Sequence, residues 1–208
     1  MASTSAMTQA TTKDMTEEDA LRADLYGFVA ALLAGPPSQE LIDQAAALSG
    51  DESDIGKGVR ALARLAASMN EKAVRSEYNA LFIGLGRGEL LPYASFYLTG
   101  FLNEKPLANL RGHMSKLGIA RDPAVKDPED HIASLFEMMA GLIRGDFGGE
   151  LGLADQEAFF NSHLATWAGH FFSDLEGAKG SVFYAPVGTI GRTFIEIEIE
   201  AFRMETTD

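Results

Sequence analysis

The chain has 208 residues, 46% of them hydrophobic, enough for a single domain with a substantial core. Its 30 acidic side chains outnumber 17 basic ones, a formal charge of −13 that repels nucleic-acid phosphate and anionic lipid and favours cationic partners. It has no cysteine, which excludes disulfides, thiolate catalysis and Cys-ligated zinc or iron–sulfur centres, and no apolar run approaches the roughly 20 residues of a membrane span.

The first residues, MASTSAMTQATTKD, are polar and lack the apolar stretch of a secretory signal, so residues 1–14 read as a disordered leader of a cytoplasmic protein. Residues 15–206 then read as one domain. Thr16 with Asp19 forms a capping box, and Leu21, Leu25, Phe28, Val29, Leu32 and Leu33 recur at helical spacing, predicting a helix over 17–33. Gly35, Pro36 and Pro37 end it, and Ser38 caps a short helix carrying Leu41, Ile42, Ala45 and Leu48. A third helix is expected over 54–69 and a fourth from Glu71 through Val74, Tyr78, Leu81 and Phe82.

The glycines of GLGRGE break the pattern at 84–89, leaving a loop whose Leu90, Leu91, Pro92 and Tyr93 are unusually apolar. Such a loop packs on the core or meets a partner. Ser95 is expected to cap a helix holding Phe96, Tyr97, Leu98, Phe101 and Leu102, and Pro106 to open another that Gly118 stops.

The most strongly patterned stretch is KDPEDHIASLFEMMAGLI, residues 126–143. Asp127 reads as its N-cap, Pro128 as its first helical residue, and Glu129 and Asp130 as first-turn acids that complement the helix dipole. One apolar face follows, with His131 at its mouth and Ser134, Glu137, Gly141 and Arg144 opposite. After a glycine-rich turn at 145–152, a helix begins at Asp155 and a further one covers 163–175, with Phe159, Phe160, Trp167, Phe171 and Phe172 as core. The last segment, 183–204, contains FIEIEIEAF, whose alternation suggests a strand. A helix is expected instead, because a lone strand has no partner for its ladder, and it places Ile190, Phe194, Ile197 and Ala201 on one face. The sum is an all-α, single-domain bundle of about nine helices.

Five segments, in order, resemble the TorD/DmsD/NarJ family of redox-enzyme maturation chaperones. EYNALFIG (77–84) is similar to its Tyr-x-x-Leu-Phe-x-Gly element, and PYASFYL (92–98) to Pro-x-x-Ser-x-Tyr/Trp-Leu. The helix from Pro106 follows, then DPEDHI for the family's EPxDH, with Asp in place of the first Glu. HLATWAGHFFSDLE (163–176) resembles the Trp-containing segment, with Thr166 where proline is common. The loop departs from the family, which often carries Gly-Pro-Gly and a double proline there.

The resemblance implies a TorD-like fold and a non-catalytic cytoplasmic chaperone. Its partner is then the precursor of a molybdenum-dependent oxidoreductase, held by its twin-arginine signal peptide or another part until the molybdenum cofactor is inserted. It also implies a monomer or a helix-swapped homodimer and no cofactor for the chaperone itself, while the acidic charge argues against a nucleic-acid partner and the hydropathy against a membrane span. The expected peptide site combines Tyr78, Leu81, Phe82, Leu91, Pro92, Tyr93, Ser95 and Tyr97 as an oily groove with Glu129, Asp130 and His131 beside it. Carboxylates next to an apolar groove suit a segment of two arginines followed by an apolar stretch. The rival reading is a small metal- or nucleotide-dependent hydrolase using Asp130 and His131. Against it, the other histidines lie in separate segments, and GLGRG lacks the Lys-Ser/Thr of a phosphate-binding loop.

Overall fold

A computed structural model describes residues 15–149 and 151–205; the expected leader at 1–14 lies outside them. The described residues form ten α-helices and no strand. These are α1 (Glu17–Leu33), α2 (Gln39–Ala46), α3 (Asp54–Ser68), α4 (Glu71–Tyr78), α5 (Ala94–Thr99), α6 (Lys105–Lys116), α7 (Ile132–Arg144), α8 (Leu153–His163), α9 (Ala168–Gly177) and α10 (Tyr184–Glu205). A π-helical turn, Asn79–Ile83, extends α4.

Several starts follow directly from local chemistry. The Thr16 hydroxyl accepts the Asp19 N–H and the Ser38 hydroxyl accepts that of Leu41, each satisfying a donor the helix cannot. α7 is the hub: all its residues are buried except Ser134, Glu137 and Arg144. α1 packs along it on one side and α8 on another, while α9 lies against α10 and α10 against α3. The α9–α10 contact is close because Gly188 and Gly191 face Phe172, where a Cβ has no room. Phe159, Phe160, Trp167, Phe171 and Phe172 are buried as expected.

Three expectations need correction. The helix pattern expected over 163–175 starts late: α8 ends at His163, whose carbonyl accepts the Trp167 indole N–H at 2.7 Å, and α9 starts at Ala168. Gly141 is not at the wet edge of α7, since the Phe147 ring packs against its Cα. On α10, which is helical as expected, Ile197 is 50% exposed and Glu198 is the buried member. The inward row runs through Ile190, Phe194, Ile195, Glu198 and Phe202, and Arg22 and Tyr26 of α1 hold the carboxylate there, with oxygens 2.8 Å from Arg22 Nε and Nη2 and 2.9 Å from the Tyr26 hydroxyl.

Candidate functional site

The turn before α7 departs from its expected form, and the departure builds the site. Helical geometry begins only at Ile132, and the N-cap is His131, whose Nδ1 accepts the Ala133 N–H at 3.1 Å. Asp127 is not the cap. Its carboxylate accepts the Tyr93 hydroxyl at 2.8 Å, a competitor 34 positions away in the chain. Nor does Ser95 cap α5. The Asp130 carboxylate does so from outside, with Oδ2 accepting the Ser95 N–H at 2.8 Å, while the Asp130 carbonyl accepts the Ala94 N–H at 3.0 Å. The Ile132 N–H in turn donates to the Pro92 carbonyl at 2.8 Å, so Pro92–Ser95 and Asp130–Ile132 are laced into one antiparallel bridge.

The expected site residues are therefore partly united. Pro92, Tyr93, Ser95, Asp130 and His131 form one unit, with the Tyr93 ring edge-on to the imidazole at 5.0 Å between centroids. Leu91 borders it, half-buried. Tyr97 turns towards α9, its ring tilted against Trp167 at 5.3 Å between centroids and its hydroxyl on Asp174 at 2.9 Å. Tyr78, Leu81 and Phe82 are in the core beneath the loop, Tyr78 donating to the Leu33 carbonyl and Phe82 set edge-on to Tyr184. Glu129 faces away towards α6, bonded to Arg111 at 2.7 and 3.0 Å.

The loop shape depends on glycine at two points. Gly84 has φ +63° and a Cβ there would collide with the Arg87 carbonyl; Gly88 packs its Cα against the Phe82 backbone. The loop projects Leu85 fully into solvent, and the stretch after it leaves Leu98, Phe101 and Leu102 exposed.

Electrostatically the site is unusual in one oxygen. Asp130 is 1% exposed, and its Oδ1 has no hydrogen-bond partner; the Ser95 hydroxyl beside it is also unpartnered. Such a group is costly to bury unless something completes it. Asp130 lines a hollow of about 100 Å³ together with Leu98, Pro106, Leu110, Leu135 and His163. Burial holds His131 down at about 4, despite the opposing charges of Asp127 and Asp130, so its imidazole is neutral near pH 7 and serves as an acceptor. Burial, and then the neighbouring His113, bring His163 down to about 4. Burial pushes the Tyr93 hydroxyl up, reinforced by Asp127.

His113 and His163, remote in sequence, meet at 2.9 Å between Nδ1 and Nε2. No three His, Cys, Asp or Glu side chains among the described residues converge as a metal-binding group. Periodicity gave no sign of Leu98 or His163 as neighbours of Asp130, because their proximity depends on the packing of α5 and α8 around α6.

Comparison with known proteins agrees with this architecture. The chain is 26% identical over 210 residues to the chaperone protein TorD of Aliivibrio fischeri, covering 90% of this chain and 97% of that one. It is 26% identical to TorD of Vibrio atlanticus, again over 90% and 97% of the two chains. A crystal structure of a proposed redox enzyme maturation protein from Archaeoglobus fulgidus superposes with a TM-score of 0.56 at 23% identity, over 85% of this chain and 94% of that one, a likeness of fold. The sequence profile of the nitrate reductase delta subunit matches residues 49–173, which span the loop, the Tyr93–His131 bridge and all of α7. By that match the chain belongs to the nitrate reductase delta subunit family, the TorD-like group of maturation chaperones whose motifs its sequence resembles.

Proposed function

We propose that the protein is a cytoplasmic chaperone that holds the precursor of a molybdenum-dependent oxidoreductase through its twin-arginine signal peptide while cofactor is inserted. The kinship with TorD chaperones supports a maturation role rather than enzymatic turnover. The observation that carries the peptide reading is the unpartnered Oδ1 of Asp130, buried but bordering a hollow next to exposed Leu98.

A guanidinium is the natural complement of that oxygen. It is permanently charged, presents planar donors, and forms stronger hydrogen bonds to a carboxylate than a neutral donor does. Leu98, Phe101 and Leu102 continue outward from the hollow as an apolar strip, suited to the greasy segment that follows the arginines. Pro92, Tyr93 and His131 fix the frame: neutral His131 caps α7, Tyr93 packs on it, and the bridge sets where Asp130 points. Glu129, spent on Arg111, supports this frame and leaves Asp130 as the acid for the arginine.

The test is co-purification of the full chain with an oxidoreductase precursor, paired with hydrogen-exchange mapping of the complex. Protection at 92–102 and 128–132, lost when the precursor lacks its leader, supports the reading. Equal binding of leaderless and full-length precursor would exclude the signal peptide as the bound segment.

A further inference from the structure

The turn carrying Asp130 has a second side. A pocket of about 260 Å³ lies between the 119–127 loop, α7 and the turn that follows α7. Its lining includes the apolar side chains Met114, Met138 and Phe147. The lining also includes Asp122, Asp127, Glu129, Glu137 and Asp146, five acidic residues against one basic residue, Arg121, with Glu129 already bonded to Arg111 and Asp127 to the Tyr93 hydroxyl. Burial and the charge of Asp122 push the Glu137 carboxyl up, as expected where acids crowd without enough positive charge.

Two thioethers and a ring in one lining with carboxylates suit a side chain with a long apolar stem and a cationic head. The pocket already holds one such head, loosely. Arg121 Nε is 3.6 Å from Glu129 Oε1, too long for a good hydrogen bond, and its Nη2 reaches the carbonyls of Val125 and Lys126 at only 3.2 and 3.5 Å. Arg111 holds the other Glu129 oxygen firmly from outside the pocket lining. Burial raises the Glu129 carboxyl, but the Arg111 bond and the two guanidinium charges together bring it below its ordinary range.

The pocket is also continuous with the proposed peptide face. Asp127 belongs to its lining and at the same time accepts the Tyr93 hydroxyl, whose ring packs on His131.

We infer that this pocket binds an arginine side chain of the client polypeptide, and that Arg121 is the resident competitor displaced on binding. The inference rests on the peptide reading above: a client with two arginines then presents one to each side of the 127–131 turn. Arg121 sets the threshold, admitting only a segment that replaces its charge.

The experiment uses the full chain labelled with [methyl-¹³C]methionine and titrated with N-acetyl-arginine amide, with the uncharged citrulline analogue as control. The Met114 and Met138 methyls are expected to shift saturably with arginine alone, while buried Met139 stays still. Arg121→Gln is expected to lower the half-saturating concentration about threefold, and Asp122→Asn with Glu137→Gln to raise it about tenfold. Arg121, Asp122 and Glu137 all keep substantial contact with solvent as whole residues, the Glu137 carboxyl being only partly buried, so the fold should survive. Equal shifts with citrulline, or an Arg121→Gln protein that binds arginine no better, overturn the inference. A peptide with two arginines before an apolar stretch separates the two readings. If it fails to bind while arginine still shifts the methyls, the peptide reading falls and the pocket stands. If Asp122→Asn with Glu137→Gln leaves peptide affinity unchanged, the pocket inference falls and the peptide reading stands.

Discussion

Glu198 and Asp130 are each 1% exposed, yet they are finished differently. Glu198 receives three donors, two from Arg22 and one from Tyr26, so its charge is neutralised and both oxygens are used. Asp130 receives one side-chain hydrogen bond, from Ser95 N–H, and keeps the other oxygen open beside a hollow. A buried acid that is complete in the free protein ties helices together; one left incomplete at a cavity calls for a donor, which in the proposed function is a client guanidinium. Glu77 falls with Glu198, since its carboxylate accepts the N–H groups of Val182, Phe183 and Tyr184 at 2.7–3.0 Å and so caps α10.

The contrast can be broken by mutation, and the largest expected effect is at the complete site. Glu198→Ala strands the Arg22 guanidinium and should cost about 3–5 kcal/mol, read as a large drop in denaturant midpoint. A loss below about 1 kcal/mol would mean that the cluster ties nothing together.

Next comes acid. His131 and His163 have folded-state pKa values near 4 against an ordinary value of 6.5, so the unfolded chain binds protons first as pH falls. Their contribution is whole above about pH 6.5 and is lost on descent towards pH 4, on the order of 2 kcal/mol each by pH 5. Thermal melts at pH 7 and 5 check this, and His163→Gln should flatten the slope. Glu77→Gln should then cost about 2 kcal/mol, because a neutral amide accepts those N–H groups less strongly and loses the favourable charge at the α10 start. The smallest loss of the series is Tyr93→Phe, about 1 kcal/mol for one partly exposed hydroxyl bond to Asp127.

How much of this was legible in the sequence varies with the range of the interaction. α10 could be read as a helix against its own period-two alternation, because no other segment offered a strand to pair with it. Glu198 could not be singled out there, since its partners lie 172 and 176 positions away. The DPEDH turn shows the same limit from the other side. Asp-Pro-Glu-Asp has every local mark of a helix start, but Tyr93 claims Asp127 and α5 claims Asp130, so the capping task passes to His131. That Pro92–Ser95 lies against Asp130–His131 came from family resemblance, as no spacing within one chain encodes it. The hollow beside Asp130 needed α6 and α8 in place before it existed.

In the proposed function the open Oδ1 of Asp130 receives a client guanidinium. The most direct test pairs calorimetric titration of a twin-arginine signal peptide with thermal melts, for the wild-type chain and Asp130→Asn, which keeps an acceptor for Ser95 N–H and removes the charge. Asp130→Asn is expected to lower affinity by at least about tenfold with a melting temperature within about 2 °C of wild type. Unchanged affinity, or a loss of binding that only tracks a collapse in melting temperature, would contradict it.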